Sequence, residues 1–126
     1  MAITQAVCDS FKKELLEGEH DFRSSGGDQF KLALYGSSAS LSNTTTAYTT
    51  SQEVSASGTY SAGGGNLTST GAAATNNTSF IDFSDISFTS ASISAQAAVI
   101  YNSNTSATTN TNAAVMVLDF GAVKTS

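Results

Sequence analysis

Charge sits almost entirely at one end of this chain, and that segregation most narrows what the chain can fold into. Asp9, Lys12, Lys13, Glu14, Glu17, Glu19, Asp21, Arg23, Asp28 and Lys31 all precede residue 32, and only Glu53, Asp82, Asp85, Asp119 and Lys124 follow it. The long remainder is filled with Ser, Thr, Asn and Gly. Disorder usually combines low hydrophobicity with high net charge and abundant Pro. Here 40% of residues are hydrophobic, the net charge is -5, Pro is absent, and there are seven Phe and four Tyr. Thr and aromatic residues suit a pleated sheet, and Ser, Asn and Gly suit the turns between strands. The expected fold class is therefore mainly β: a small antiparallel β-sandwich or barrel-like body with one N-terminal amphipathic helix. A single domain is expected over 1–126, with the helix in 1–20 and the β-body in 28–126.

The helix is predicted from Ile3, Val7, Phe11 and Leu15, which recur at steps of four. Leu16 widens this stripe, Gly18 stands where a C-cap belongs, and Asp9, Lys12, Lys13 and Glu17 occupy the other face. So short a helix is marginal alone and must dock on a sheet face or a neighbouring subunit. Phe11→Ala is expected to be costly if the ring is buried.

Strand patterns begin at "FKLALY", where Phe30, Leu32 and Leu34 alternate with Lys31, Ala33 and Tyr35. Through residues 36–79 the pattern weakens. There "TAYTT", "EVSASGTY" and "NLTST" suggest short strands, "AGGGN" a turn, and residues 40–50, "SLSNTTTAYTT", an ordered loop or edge strand. In "SFIDFSDISF" the apolar parity changes between Phe83 and Ile86, which calls for a bulge or turn. The strongest strands are "SISAQAAVIYN", with Ile93, Ala95, Ala97, Val99 and Tyr101 on one face, and "AAVMVLDFG", apolar on both faces and so expected in the core. The neutral loop "NSNTSATTNTN" between them is long for a hairpin, and its tip is expected to be mobile or held by a partner.

Cys8 is the only cysteine, which excludes an internal disulfide framework and a multi-cysteine zinc cluster. His20 is the only histidine, and a helix between the two would hold them about 18 Å apart, too far for a Cys-His pair. Asp82 and Asp85 have no specific calcium spacing, and "AGGGN" lacks the Lys-Ser/Thr of a phosphate loop. No catalytic, cofactor-binding or metal residue is assigned, and an enzyme is not expected. With five Lys and Arg and a pI near 4.4, no nucleic-acid partner is expected. No segment reads as a membrane span or secretion signal, so the chain is expected to be made and soluble in a host cytoplasm.

The stretches "MAITQAVCDSFKKELLEGEHDF", "FKLALY", "AAVIYN" and "AVMVLDFG", in this order and spacing, resemble a family of small virion proteins of tailed bacteriophages. Its Cys-x-Ser-Phe-Lys core corresponds here to Cys8, Ser10, Phe11 and Lys12. The resemblance implies a structural role without catalytic residues, located in the virion. The favoured expectation is a capsid decoration or cement protein on the outer surface of the head, partnered by the major capsid protein and by copies of itself, a trimer among the forms considered. The alternative is a tail or tail-fibre component, with residues 102–112 turned towards a host receptor. Relatives continue past "LDFG" into a further polar segment and strand, which the resemblance implies is either absent here or supplied by a neighbouring subunit. Ile3, Val7, Phe11, Leu15, Tyr48 and Tyr60 are the candidate interface residues.

Overall fold

In a computed structural model that describes residues 2–104 and 110–126, the chain is mainly β, with antiparallel sheets and one short helix near its N-terminus. In chain order the elements are β1 (Ala6–Val7), α1 (Asp9–Leu16), β2 (Phe30–Tyr35), β3 (Gly65–Leu67), β4 (Ser69–Thr75), β5 (Thr78–Phe83), β6 (Ser94–Asn102) and β7 (Ala113–Thr125). Five strands form one sheet in the order β1-β7-β6-β2-β3, and β4 and β5 form a separate two-stranded hairpin.

β6 is the spine of the main sheet because both of its faces are apolar. It pairs with β2 from Phe30↔Asn102 to Tyr35↔Ala97, and with β7 from Asn102↔Ala113 to Ser94↔Thr125. The β6–β7 register shifts between Ile100 and Tyr101 and again between Ala95 and Ala97. After the second shift β7 leaves the core: Val117 is fully buried, whereas residues 120–125 are exposed. The expectation that the last strand is core therefore holds for its first half only.

Pairing fixes the two faces, because residues opposite each other project to the same side. Phe30, Leu32, Ile100, Asn102, Met116 and Val7 share one face, which α1, Phe22 and Phe83 cover. Phe22 stacks on Phe30 at 4.3 Å between ring centroids, and Phe83 tilts against both rings. Ala33, Tyr35, Val99, Tyr101 and Val117 share the other face, over which residues 36–64 fold as a second layer. Both sides of "FKLALY" are thus covered.

That second layer is mostly loop. The short strands expected at "TAYTT" and "EVSASGTY" are single bridges, Ala47↔Ala113, Tyr35↔Glu53 and Ser57↔Tyr60. Residues 40–50 form an ordered loop tied at Leu41 and Ala47. "AGGGN" turns as expected, and Gly64 passes so close to β2 that an added Cβ would lie 1.9 Å from the Leu32 carbonyl oxygen. The parity change after Phe83 is the end of β5, where Ser84 N–H bonds to Thr68 O. The tip of "NSNTSATTNTN", 105–109, lies outside the described residues.

The predicted helix over 1–20 needs correction. Only Asp9–Leu16 is helical; Thr4 N–H bonds to Leu41 O, Ala6–Val7 pairs with β7, and Cys8 N–H bonds to Val115 O. Sheet pairing claims the first two positions of the apolar stripe, Ile3 and Val7, because β-branched residues fit it at least as well as a helix. At the other end Gly18 has φ +73°, with Gly18 N–H to Leu15 O at 3.1 Å and Glu19 N–H to Glu14 O at 2.9 Å. This Schellman pattern stops the helix and turns the chain back along it.

Candidate interaction surface

The turn after α1 returns His20 to the helix, where its ring lies 4.8 Å from that of Phe11. The inner helix face is Phe11 and Glu14, not the full predicted stripe; Leu15 is 45% and Leu16 91% exposed. Glu14 points inward because it has partners there. Its Oε1 lies 2.8 Å from His20 Nε2, with both side chains buried, and Asn110 Nδ2 donates to its Oε2 at 3.4 Å. Asn102, fully buried, donates from Nδ2 to Asp28 Oδ2 and lies 3.1 Å from His20 Nδ1. Asn104 N–H donates to Asn102 Oδ1, which fixes the amide's orientation. This orientation sets His20 Nδ1 as the acceptor of the Asn102 amide and Nε2–H as the donor to Glu14.

This chain of Glu14, His20, Asn102 and Asp28 ties the helix, the return loop and β6 together. Both histidine nitrogens are engaged, so His20 does not activate Cys8. The 18 Å separation expected from a longer helix does not apply, since the chain folds back. Cys8 is fully buried, and burial, reinforced by Asp9 and Glu14, pushes its thiol up to about 11, the opposite of an activated nucleophile. Asp82 accepts the Phe83 N–H, a local turn bond, and no group of three or more metal-ligating side chains occurs among the described residues.

A second polar centre lies on the opposite sheet face, where all four tyrosines gather around Glu53. Tyr48 Oη donates to Glu53 Oε1 at 2.5 Å; Tyr60 Oη at 2.7 Å and Gly63 N–H at 2.8 Å share Oε2. Tyr60 Oη also accepts the Leu34 N–H. Tyr101 stacks on Tyr48 and donates to Gly63 O, and Tyr35 donates to Thr49 O. Burial, with the Glu53 charge added, raises all four phenols, Tyr101 to about 12 and the others further.

Alkaline behaviour follows from these groups. A phenol or thiol raised in the folded state keeps its proton there while the unfolded chain loses it, so stability is full below the unfolded values of 9.0 for Cys and 10.0 for Tyr. It should fall as pH rises from about 9 to 12, by about 3 kcal/mol from Tyr101 alone. Denaturant midpoints measured at pH 8, 9.5 and 11 check this; a flat profile would mean that the tyrosines are not buried as described.

The candidate interface residues do not share one surface. Tyr60 is 1% exposed and Tyr48 is bound to Glu53, so both belong to the chain's own second layer. Ile3 is bridged to Leu41. Val7, Phe11 and Leu15 do come together, with Phe22, Ile81 and Met116, around an apolar groove of about 360 Å³ between α1, β1 and the β4–β5 hairpin. Val7 and Leu15 are open to solvent on it, while Phe11 forms its floor. Phe11→Ala should cost about 3–5 kcal/mol in denaturant unfolding, because the ring is buried against His20 and Phe22. A loss below about 1 kcal/mol would contradict that burial.

The hairpin wall of this groove went unrecognised in the sequence. Its signal was "TNNT", two Asn between Thr residues; Asn76 and Asn77 have φ +49° and +65°, the conformation a two-residue hairpin turn requires. Glu53 was also readable, as the one charge between Lys31 and Asp82. No helix among the described residues is long and apolar enough to cross a membrane. Compared with protein-family models, curated proteins and solved structures, the chain matches none.

Proposed function

We propose that this chain is a structural virion protein that decorates and stabilises the outside of a tailed-phage capsid by bridging major capsid protein subunits. The observation that carries the reading is the open apolar groove bounded by Val7, Leu15 and the hairpin. A groove of this kind on a small protein fits a partner surface better than a small polar substrate. Beyond residue 31 the chain carries Ser, Thr and Asn in place of most charge, which lets a large area of that surface be covered without desolvating ions, whereas the α1 side of the groove is flanked by Asp9, Lys12 and Lys13. The stretches that resemble phage virion proteins include Val7, Phe11 and Leu15, which line the groove.

The mechanism is mass action. A protein that binds only the assembled shell stabilises that state, and many copies acting together add avidity to weak single contacts. No residue is given a catalytic role. The test is co-sedimentation of the purified protein with tailed-phage head shells, with Val7→Glu and Leu15→Glu as variants that keep Phe11 in place. Each should weaken binding at least tenfold with the circular dichroism unchanged. Binding unaffected by both changes, or association with tails and not heads, would overturn the reading.

A further inference from the structure

Among the described residues the β4–β5 hairpin pairs only with itself, and every residue from 72 to 82 is exposed. An isolated two-stranded hairpin is marginal in water, and natural sheets guard open edges with Lys, Pro or a bulge. β5 has none of these, yet it carries Phe80, 50% exposed, beside Ile81. β4 is guarded: its register breaks between Ser69 and Gly71, and the Thr70 hydroxyl turns back to Asp82 O.

We propose that two copies of this chain pair through the outer edges of their β5 strands, antiparallel, about a two-fold axis at Phe80. The hydrogen-bond phase selects this register. The two-residue turn makes Thr75↔Thr78 a bonded pair, so by alternation Ala73↔Phe80 is bonded too. Ser79 and Ile81 therefore turn their N–H and C=O groups outward. A partner strand must offer outward groups at the same two-residue spacing, apolar bulk opposite Phe80, and no acid opposite Asp82.

A second copy meets all three needs. In the antiparallel arrangement Ser79 bonds with Ile81 of the other copy and Ile81 with its Ser79. Phe80 faces Phe80 as a close, non-bonded pair, and Asp82 faces Thr78. A one-residue slip breaks the bond phase. A two-residue slip either sets Asp82 against Phe80 or runs the strand into the Asn76–Asn77 turn. The pairing is argued from the hairpin and not from the capsid assignment, although Ser79, Phe80 and Ile81 also line the groove, so its test reads the association state of the isolated protein and not shell binding.

Non-bonded antiparallel positions lie close enough for a disulfide. Because Cys8 is buried, Phe80→Cys supplies the accessible thiol, and this variant should oxidise in air to a covalent dimer while Ile81→Cys stays uncrosslinked. Sedimentation of the unmodified protein at about 100 μM should show a dimer, and Phe80→Lys should raise its dissociation constant at least about tenfold with unchanged circular dichroism. A monomer or a trimer at that concentration overturns the proposal, as does Ile81→Cys crosslinking as readily as Phe80→Cys.

Discussion

Replacing Glu53 by Ala should destabilise the fold by roughly 3–6 kcal/mol, the largest single-residue effect expected outside the aromatic core. The carboxylate accepts from Tyr48, Tyr60 and Gly63 at once. Truncation leaves two phenols and a backbone N–H without this acceptor in a half-buried layer, each worth about 1–3 kcal/mol. The effect should spread, because the segment containing Tyr48, Glu53 and Tyr60 is a layer with almost no regular secondary structure. Glu53→Gln should lose less, since its amide oxygen still accepts while its NH₂ faces a donor. Equilibrium denaturation of the three proteins checks the ranking; an Ala variant within about 1 kcal/mol of the parent would show that loop 36–64 is held by burial alone.

The second large effect is expected at His20. His20→Leu fills similar space but removes the Nε2–H donor from Glu14, whose side chain is 7% exposed. Charge-assisted bonds contribute about 1.5–3 kcal/mol, and an uncompensated buried carboxylate adds to the loss, so about 2–4 kcal/mol is expected. The double change His20→Leu with Glu14→Leu should recover part of it, since removing both members spares the fold a buried charge. A double variant less stable than the sum of the two single changes would contradict the pairing.

How legible these features were depended on whether the cause was local. "FKLALY", "SAQAAVIYN" and "AAVMVLDF" declared themselves, because alternation and a two-sided apolar pattern are properties of a few consecutive residues. The C-cap at Gly18 was readable for the same reason. The helix start was not: Ile3 and Val7 continue a helical period, but the partners that hold them extended, Leu41 and Met116, lie far along the chain. Glu14 was hidden for a different reason: a carboxylate on a short helix looks solvated, although His20 lies only six residues on, past the Gly18 turn, and its other partner, Asn110, is 96 residues away. The groove was half legible. Val7, Phe11 and Leu15 were identified as contact residues, whereas the opposing wall needed the hairpin that "TNNT" encodes. Tyr48 and Tyr60 were misplaced because an aromatic residue among Ser and Thr looks like surface until Glu53 is set between them.

The most direct measurement is a cryo-EM reconstruction of purified virions with this chain traced into the density. The account predicts density repeated over the outside of the icosahedral head, with Val7, Leu15 and the hairpin groove against the major capsid protein. Density confined to the tail or its fibres, or a head-bound chain whose groove faces solvent, would contradict it.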